Sequence, residues 1–362
     1  MQNKLKKYKI EDIIEKILNN IRITKQEAIK LYNISDPLIL GYLANLKREN
    51  LHGKKTTYVL NQHINYTNVC VNQCKFCVFS RKKGENGSFE LTLEDIEKKI
   101  KDLPLTIKEI HIVGGCHPDF PFSYYIEMLK LIRRLIPQAT LKCFTAVEIQ
   151  HLSKISGLKV DEVLIELKKA GLDMMPGGGA EIFDPEIRNK ICPEKISGER
   201  WLEIMEIAHS LGIKTNCTML FGHIESFVHR IDHLDKLRKL QDKTSGFVCF
   251  IPLPFLPKKS KIKVKKSVLG IEALKTIAIS RLMLDNIPHI KSYWVMLGLK
   301  LAQSALYFGA DDFDGTVVEE KIGHMAGARS PNVLTKKELI EMIEGCDLIP
   351  VERDGMFNIL PN

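Results

Sequence analysis

Apolar positions along this chain fall into two alternating rhythms. Short apolar or alternating runs, of which 107–113 (Ile-Lys-Glu-Ile-His-Ile-Val) is the clearest, read as strands, and longer segments with apolar residues at helical spacing separate them. Val160, Val163, Leu164 and Leu167 stand at i, i+3, i+4 and i+7, one stripe on a helix that Gly171 stops. The pattern predicts strands at 58–66, 107–113, 140–146, 172–175, 213–221, 247–251, 289–295 and 310–313. Helices are expected between them, among others at 92–103, 124–135, 199–211, 228–241, 271–286 and 297–307. Repeated strand–helix units imply a parallel sheet, and eight of them favour a closed α/β barrel of the (β/α)8 TIM type. A six-unit partial barrel with an appended tail is the competing arrangement.

Residues 1–53 read as an N-terminal helical extension, with a capping box at Thr24–Glu27 and an N-cap followed by proline at Asp36-Pro37. A second capping box, Thr335 to Glu338, opens a last helix. The expected organisation is an extension at 1–53, a barrel at 54–330, and a C-terminal helix and tail at 331–362 packed on the barrel.

Composition narrows the class. No apolar run approaches a membrane span. The lysine-rich start is followed by Ile10-Glu11-Asp12, too charged for a signal peptide, so a cytoplasmic protein is expected. Nine cysteines without a secretory signal argue against a disulfide framework, and Cys116, Cys143, Cys192, Cys217, Cys249 and Cys346 read as buried small hydrophobes. The net charge of +9 suits an anionic small substrate or a solvated lysine surface. The lysine runs lack interleaved aromatics and no RNA-binding module is present, so neither nucleic acid nor membrane is expected as partner.

Cys70, Cys74 and Cys77 form the one group with ligand spacing, C-x3-C-x2-C. Three thiolates suit three irons of a cubane 4Fe–4S cluster and leave one iron open, whereas a closed zinc or ferredoxin-type site wants four protein ligands. On a parallel barrel, loops after the strands share one face. The cysteine loop follows the first strand, Gly114-Gly115 the second, Thr145 to Glu148 the third, Gly177-Gly178-Gly179 and Glu181 the fourth, and His223 and Glu225 the fifth. Consecutive glycines suit close approach of a ligand to backbone. Glu148 reads either as an acceptor for ribose hydroxyls or as a helix N-terminal carboxylate, and Glu181 as a ribose acceptor. His111, inside a strand, reads as a core histidine. His289, Lys291 and Tyr293 alternate and so share a face; Asp311, Asp312 and Asp314 are turn formers or site residues.

The cysteine spacing, with the aromatic Phe76 before the third cysteine, resembles the radical S-adenosylmethionine (SAM) signature. Longer runs are similar to the aminodeoxyfutalosine synthases, the radical SAM family of the futalosine route to menaquinone. They are Asn65 to Cys70, Cys74 to Arg81, His111 to Gly115, Pro176 to Phe183, Thr218 to Glu225, Leu284 to Asn286 and Gly309 to Thr316. Departures are Gly115-Cys116-His117-Pro118 where the family has Gly-Leu-His-Pro, and Phe255-Leu256-Pro257 where it tends toward Phe-His-Pro.

The resemblance implies a 4Fe–4S cluster on Cys70, Cys74 and Cys77, with SAM's methionine group on the open iron. It places Phe76, Gly114, Gly115, Glu148, Gly177, Gly178, Gly179 and Glu181 at the cofactor. Catalytic or substrate-binding roles fall to His223, Glu225, Arg281 and Lys291, with Arg188 a further carboxylate-binding cation. SAM would be consumed: its 5′-deoxyadenosyl radical would add to the enolpyruvyl double bond of 3-[(1-carboxyvinyl)oxy]benzoate, giving aminodeoxyfutalosine. Expected partners are this small dicarboxylate and a reduced flavodoxin or ferredoxin-type donor, with a homodimer allowed. Alternatives are a dehypoxanthine futalosine cyclase, a deazaflavin-cofactor synthase-like radical SAM enzyme, and a non-catalytic iron–sulfur electron carrier or sensor.

Overall fold

A computed structural model describes residues 8–264 and 267–361, so the lysine-rich start at 1–7 lies outside the described residues. Three helices lead: α1 (Glu11–Leu18), α2 (Lys25–Tyr32) and α3 (Pro37–His52). The Thr24–Glu27 capping box forms as the spacing predicts, and Asp36 caps α3 ahead of Pro37. Strand β1 (Lys55–Val59) follows; Leu60 then passes the chain to β2 (Asn61–Ile64) in a different sheet. The single strand expected at 58–66 is therefore two.

From β2 the chain alternates with β3 (Glu109–Ile112), β4 (Thr140–Cys143), β5 (Met174–Met175), β6 (Lys214–Phe221), β7 (Phe247–Pro254) and β8 (His289–Ile290). These seven strands are parallel and lie in chain order. Strand β9 (Asp312–Gly315) sits beside β1, which also pairs with β10 (Ile349–Glu352). The ring closes through β9. On one side Ser292 donates to the Asp312 carbonyl (2.7 Å) and Asp311 to that of Ile290 (3.0 Å); on the other, His63 donates to Val318 (2.9 Å). Eight strands thus form the barrel, in the eight predicted segments.

The intervening helices are α4 (Leu93–Lys101), α5 (Phe122–Leu135), α6 (Ala146–Ser156), α7 (Val160–Ala170), α8 (Pro185–Ile191), α9 (Gly198–Ser210), α10 (Phe227–Thr244), α11 (Gly270–Met283), α12 (Trp294–Leu297), α13 (Leu299–Leu306), α14 (Ile322–Ala326) and α15 (Lys336–Glu344). The Val160, Val163, Leu164 and Leu167 stripe is buried against α5 and α6, each side chain contributing about 1.5–3 kcal/mol. Helix α3 of the extension packs on α11. Thr145 caps α6 through the Glu148 amide, which ends the third strand before position 146. The strand expected at 289–295 is short because Trp294 starts α12. Among the described residues, no helix is long and apolar enough to cross a membrane.

Period two along the strands fills the inner face with polar groups. Asn61 stands beside Glu109 and Glu109 beside Thr140; one layer up, His63, His111 and Lys142 are register neighbours. A TIM-type interior is normally packed with branched apolar chains, so this polar lining marks the inside of the ring as a place for ligands.

Candidate active site

The cysteine loop leaves β2 and is pinned from three directions and braced once within itself. Cys70 donates its amide to Arg81 (3.0 Å), Val71 to Cys116 (3.0 Å) and Lys75 to Ile191 (2.9 Å), and Gln73 Nε2 donates to the Cys70 carbonyl (2.7 Å). Cys70, Cys74 and Cys77 are free thiols lining one cavity of about 330 Å³ at the C-terminal ends of the strands. Hydrogen bonds from the Cys116 thiol and amide draw the Cys70 thiol below its ordinary value, which favours the thiolate a metal would take. Burial pushes Cys74 up to about 12, and its ionisation therefore waits on a bound cation. Three thiols facing one chamber, beside a wall of glycine backbone, fit an iron–sulfur cluster with one iron open to a ligand.

Gly114 and Gly115 form that wall. A Cβ on Gly115 would lie 2.1 Å from the Val69 carbonyl oxygen, and one on Gly114 2.7 Å from the Tyr66 ring. Glu148 ties this turn to the next one. Its Oε1 accepts from the Gly114 amide (3.0 Å) and the Tyr66 hydroxyl (2.7 Å), and its Oε2 from the Thr145 amide (2.7 Å). Burial raises its carboxyl from the ordinary range. Glu148 lines the cavity, but both oxygens are engaged in holding the two loops, as a helix-capping carboxylate.

The glycine triplet lines the same cavity. The sequence assigns it to ligand contact; close packing also requires it. Added Cβ atoms would meet the Cys217 backbone at 2.5 Å (Gly177), Thr145 Cγ2 at 2.8 Å (Gly178) and Val147 Cγ2 at 2.4 Å (Gly179). Thr218 Oγ1 and Trp201 Nε1 donate to the Gly177 and Gly178 carbonyls (2.7 and 3.1 Å). Arg188, expected at a substrate carboxylate, is buried and instead donates to the carbonyls of Gly179, Ala180, Ile182 and Ile196. It shapes the loop.

Beyond the triplet, Glu181 (φ 48°) pairs with Lys195 (2.8 Å), whose Nζ lies 5.0 Å from the centre of the Phe76 ring. All three line the cavity. Burial works against the Lys195 charge, but Cys74 and Glu181 outweigh it and hold the amine well above its ordinary value. A buried ammonium beside the cysteines is what a ligand carboxylate at the open iron needs.

Deeper in the barrel, His63 and His111 stack at 4.6 Å and 14°. Burial keeps both imidazoles neutral, and neither ring has a hydrogen-bond partner among the described residues. His111 is therefore a cavity residue, not the core histidine its place in a strand suggests. Lys142 pairs with Glu109 (2.6 Å) and, against burial, holds that carboxyl down at about 2. Lys291 pairs with Asp314, and its Nζ lies 3.4 Å from Asp312. Lys142, Lys291, Tyr293 and Asp314 all line the cavity.

Three expected site residues lie outside it. Glu225 accepts from the Gly222 and His223 amides (2.6 and 2.9 Å) and from Arg230 Nε (2.7 Å). His223 Nδ1 accepts from the Ile224 amide (2.8 Å), and Nε2 reaches the Leu220 carbonyl (3.1 Å). Both side chains are spent on folding their own turn. Arg281, on α11, is wholly buried between the Gly309 and Pro288 carbonyls and Asp311. His289 is drawn to Asp311 (2.5 Å), so of the three alternating residues only Lys291 and Tyr293 reach the cavity.

The strand register of His63, His111 and Lys142 was available in the sequence, as polar residues at alternate positions of adjacent strands. Lys195 carries no such signal, being one lysine in a loop of a lysine-rich chain.

A barrel whose first loop bears three cysteines beside a glycine turn defines a class, and the comparisons agree on it. The Radical SAM superfamily model matches residues 64–237, and the CofH/MqnC C-terminal region model matches 244–361. This chain belongs to the radical SAM superfamily and is an enzyme of SAM-derived radical chemistry. It is 45% identical to the aminodeoxyfutalosine synthase of Thermus thermophilus, over 95% of this chain and 94% of that one. It is 38% identical to the 5-amino-6-(D-ribitylamino)uracil–L-tyrosine 4-hydroxyphenyl transferase of Methanopyrus kandleri, over 89% of each. The fold is also that of methylornithine synthase, with a TM-score of 0.76 at 15% identity over 93% of this chain and 96% of that one.

Proposed function

We propose that this protein is an aminodeoxyfutalosine synthase that joins the adenosyl group of SAM to 3-[(1-carboxyvinyl)oxy]benzoate. The observation that carries this reading is the 45% identity to such a synthase along nearly the whole of both chains. The restrictive runs Pro176 to Phe183 and Gly309 to Thr316 lie within it. Cys70, Cys74 and Cys77 would hold a 4Fe–4S cluster, which, reduced by a flavodoxin or ferredoxin-type donor, would supply the electron that releases a 5′-deoxyadenosyl radical from SAM.

The chain's own residues then divide the work. Lys195 holds the methionine carboxylate, with Phe76 and Glu181 fixing the ammonium in place. Glu148 keeps Gly114 and Gly115 in position against the cofactor's amino group. Lys142 and Lys291 meet the carboxylates of the substrate, each already oriented by its own acidic partner. His63 and His111, neutral and without a hydrogen-bond partner among the described residues, offer hydrogen bonds without adding charge. The closed ring keeps water and stray hydrogen donors from the radical. Nine free thiols suit a reducing, cytoplasmic setting.

The test is an anaerobic assay of the reconstituted, reduced protein with SAM and the enolpyruvyl benzoate, read by mass spectrometry. A product bearing both adenine and the benzoate ring is expected. Free 5′-deoxyadenosine without adduct would refute adenosyl transfer and point to a hydrogen-abstracting relative.

A further inference from the structure

The three cluster cysteines are not the only thiols at the chamber. Cys116 follows the Gly114-Gly115 turn and lines the same cavity. Its amide donates to Cys70 Sγ at 3.4 Å, and its side chain is in hydrogen-bond contact with the Cys70 thiol. Its carbonyl holds the Val71 amide (3.0 Å), so the backbones on either side of the two sulfurs are fastened to one another. Asn72 Nδ2 reaches Cys116 Sγ from the other side (3.5 Å). The two cysteines are thus already in contact, where wide separation is the usual obstacle to a new disulfide.

We propose that Cys70 and Cys116 form a reversible disulfide when an oxidant strips the cluster, a modification site that stores Cys70 in a recoverable state. The inference rests on the reading of Cys70, Cys74 and Cys77 as cluster ligands. The oxidant is a peroxide. Cys70 sulfur attacks one oxygen of hydrogen peroxide; the O–O bond breaks, water leaves and a sulfenic acid remains. Cys116 sulfur attacks that sulfenic sulfur, the S–S bond forms, the S–O bond breaks, and the departing hydroxide takes the thiol proton as a second water. Two electrons pass from two thiols to one peroxide, and a thiol reductant returns them. Without a resolving thiol, sulfenic acid proceeds to sulfinic acid, which such a reductant does not reverse.

The full-length reconstituted protein is treated with hydrogen peroxide until the cluster absorbance is gone, blocked with an alkylating agent, and digested with trypsin. The expected product is residues 56–75 joined to 109–130, with fragmentation placing the link at Cys70 and Cys116. Dithiothreitol followed by iron and sulfide then restores the cluster spectrum. Cys116→Ser binds iron like the wild type before treatment; afterwards it carries sulfinic acid at Cys70 and loses most of its capacity to rebuild. Alkylated Cys116 in wild-type protein whose cluster is gone overturns the proposal, as does a link from Cys70 to Cys74 or Cys77. A wild-type protein that holds no iron before peroxide is added overturns the cluster reading instead, so the two failures are distinguishable.

Discussion

Substituting alanine for Gly115 tests the site at its tightest point. The added methyl would stand 2.1 Å from the Val69 carbonyl oxygen, 2.7 Å from the Val69 carbonyl carbon and 3.0 Å from Cys70 Cβ. Backbone cannot rotate away as a side chain would. Nor can either segment slide freely, because Gly115 donates to Thr67 (2.9 Å) and Val71 to Cys116 (3.0 Å) across the same gap. Relief requires the segment bearing Cys70 to retreat by roughly 1 Å, at a cost of about 1–3 kcal/mol in overpacking. A displacement of that size at a reacting centre costs about 10²-fold in rate. Gly270→Ala is the control, since its methyl would rest 3.4 Å from Leu301 Cδ1, an ordinary contact. Iron per chain, melting temperature and SAM cleavage are measured on both variants. Gly115→Ala is expected to lose iron and most cleavage while the control keeps both. Wild-type values for all three in Gly115→Ala would refute the reasoning.

Replacing Cys70, Cys74 or Cys77 by alanine should abolish iron binding and SAM cleavage together, measured by iron assay and mass spectrometry; retained cleavage would contradict the ligand assignment. Arg281→Met leaves Asp311 buried without its main cation and should destabilise by about 3–5 kcal/mol in urea titration. Turnover per bound iron should not change, because Arg281 lies outside the cavity. His324, hydrogen-bonded to Glu320, is raised from 6.5 to about 9. A raised pKa in the fold means that this stabilisation is complete below about pH 6.5 and is lost as pH rises through 9. The urea midpoint of the wild type should therefore fall toward that of His324→Gln over this interval, and parallel curves would exclude the linkage.

The architecture was legible because burial imposes strict periods. Eight apolar segments became eight barrel strands, and the capping boxes at Thr24 and Thr335 formed. Boundaries were harder where one side chain redirects the backbone. Thr145 starts a helix that the apolar pattern reads as strand, and α6 itself went unread. β10 was also missed, since a short, half-exposed strand with Pro350 has little pattern to show. The cysteines and glycine turns were legible because they are local. Charge identified His223, Glu225, Arg188 and Arg281 as candidates but not their direction: each finds nearer backbone or ionic partners than the cavity. Lys195, conversely, enters the site only because the loop after α8 folds back over Phe76.

The seam that closes the barrel sets an order on the protein's synthesis. The bond from the Val317 amide to Asn61 spans 256 residues, and that from the Thr316 hydroxyl to the Asn61 carbonyl spans 255. Arg353, wholly buried, clamps Asp312 (2.5 Å) from still further along the chain. The ribosome therefore releases the cysteine loop long before the strand that shuts the ring beside it exists. Until then the first strand of the barrel has an unpaired edge, and contacts of such separation in sequence are slow to form. The nascent thiols must wait, reduced and unsheltered, for the last sixth of the chain to arrive.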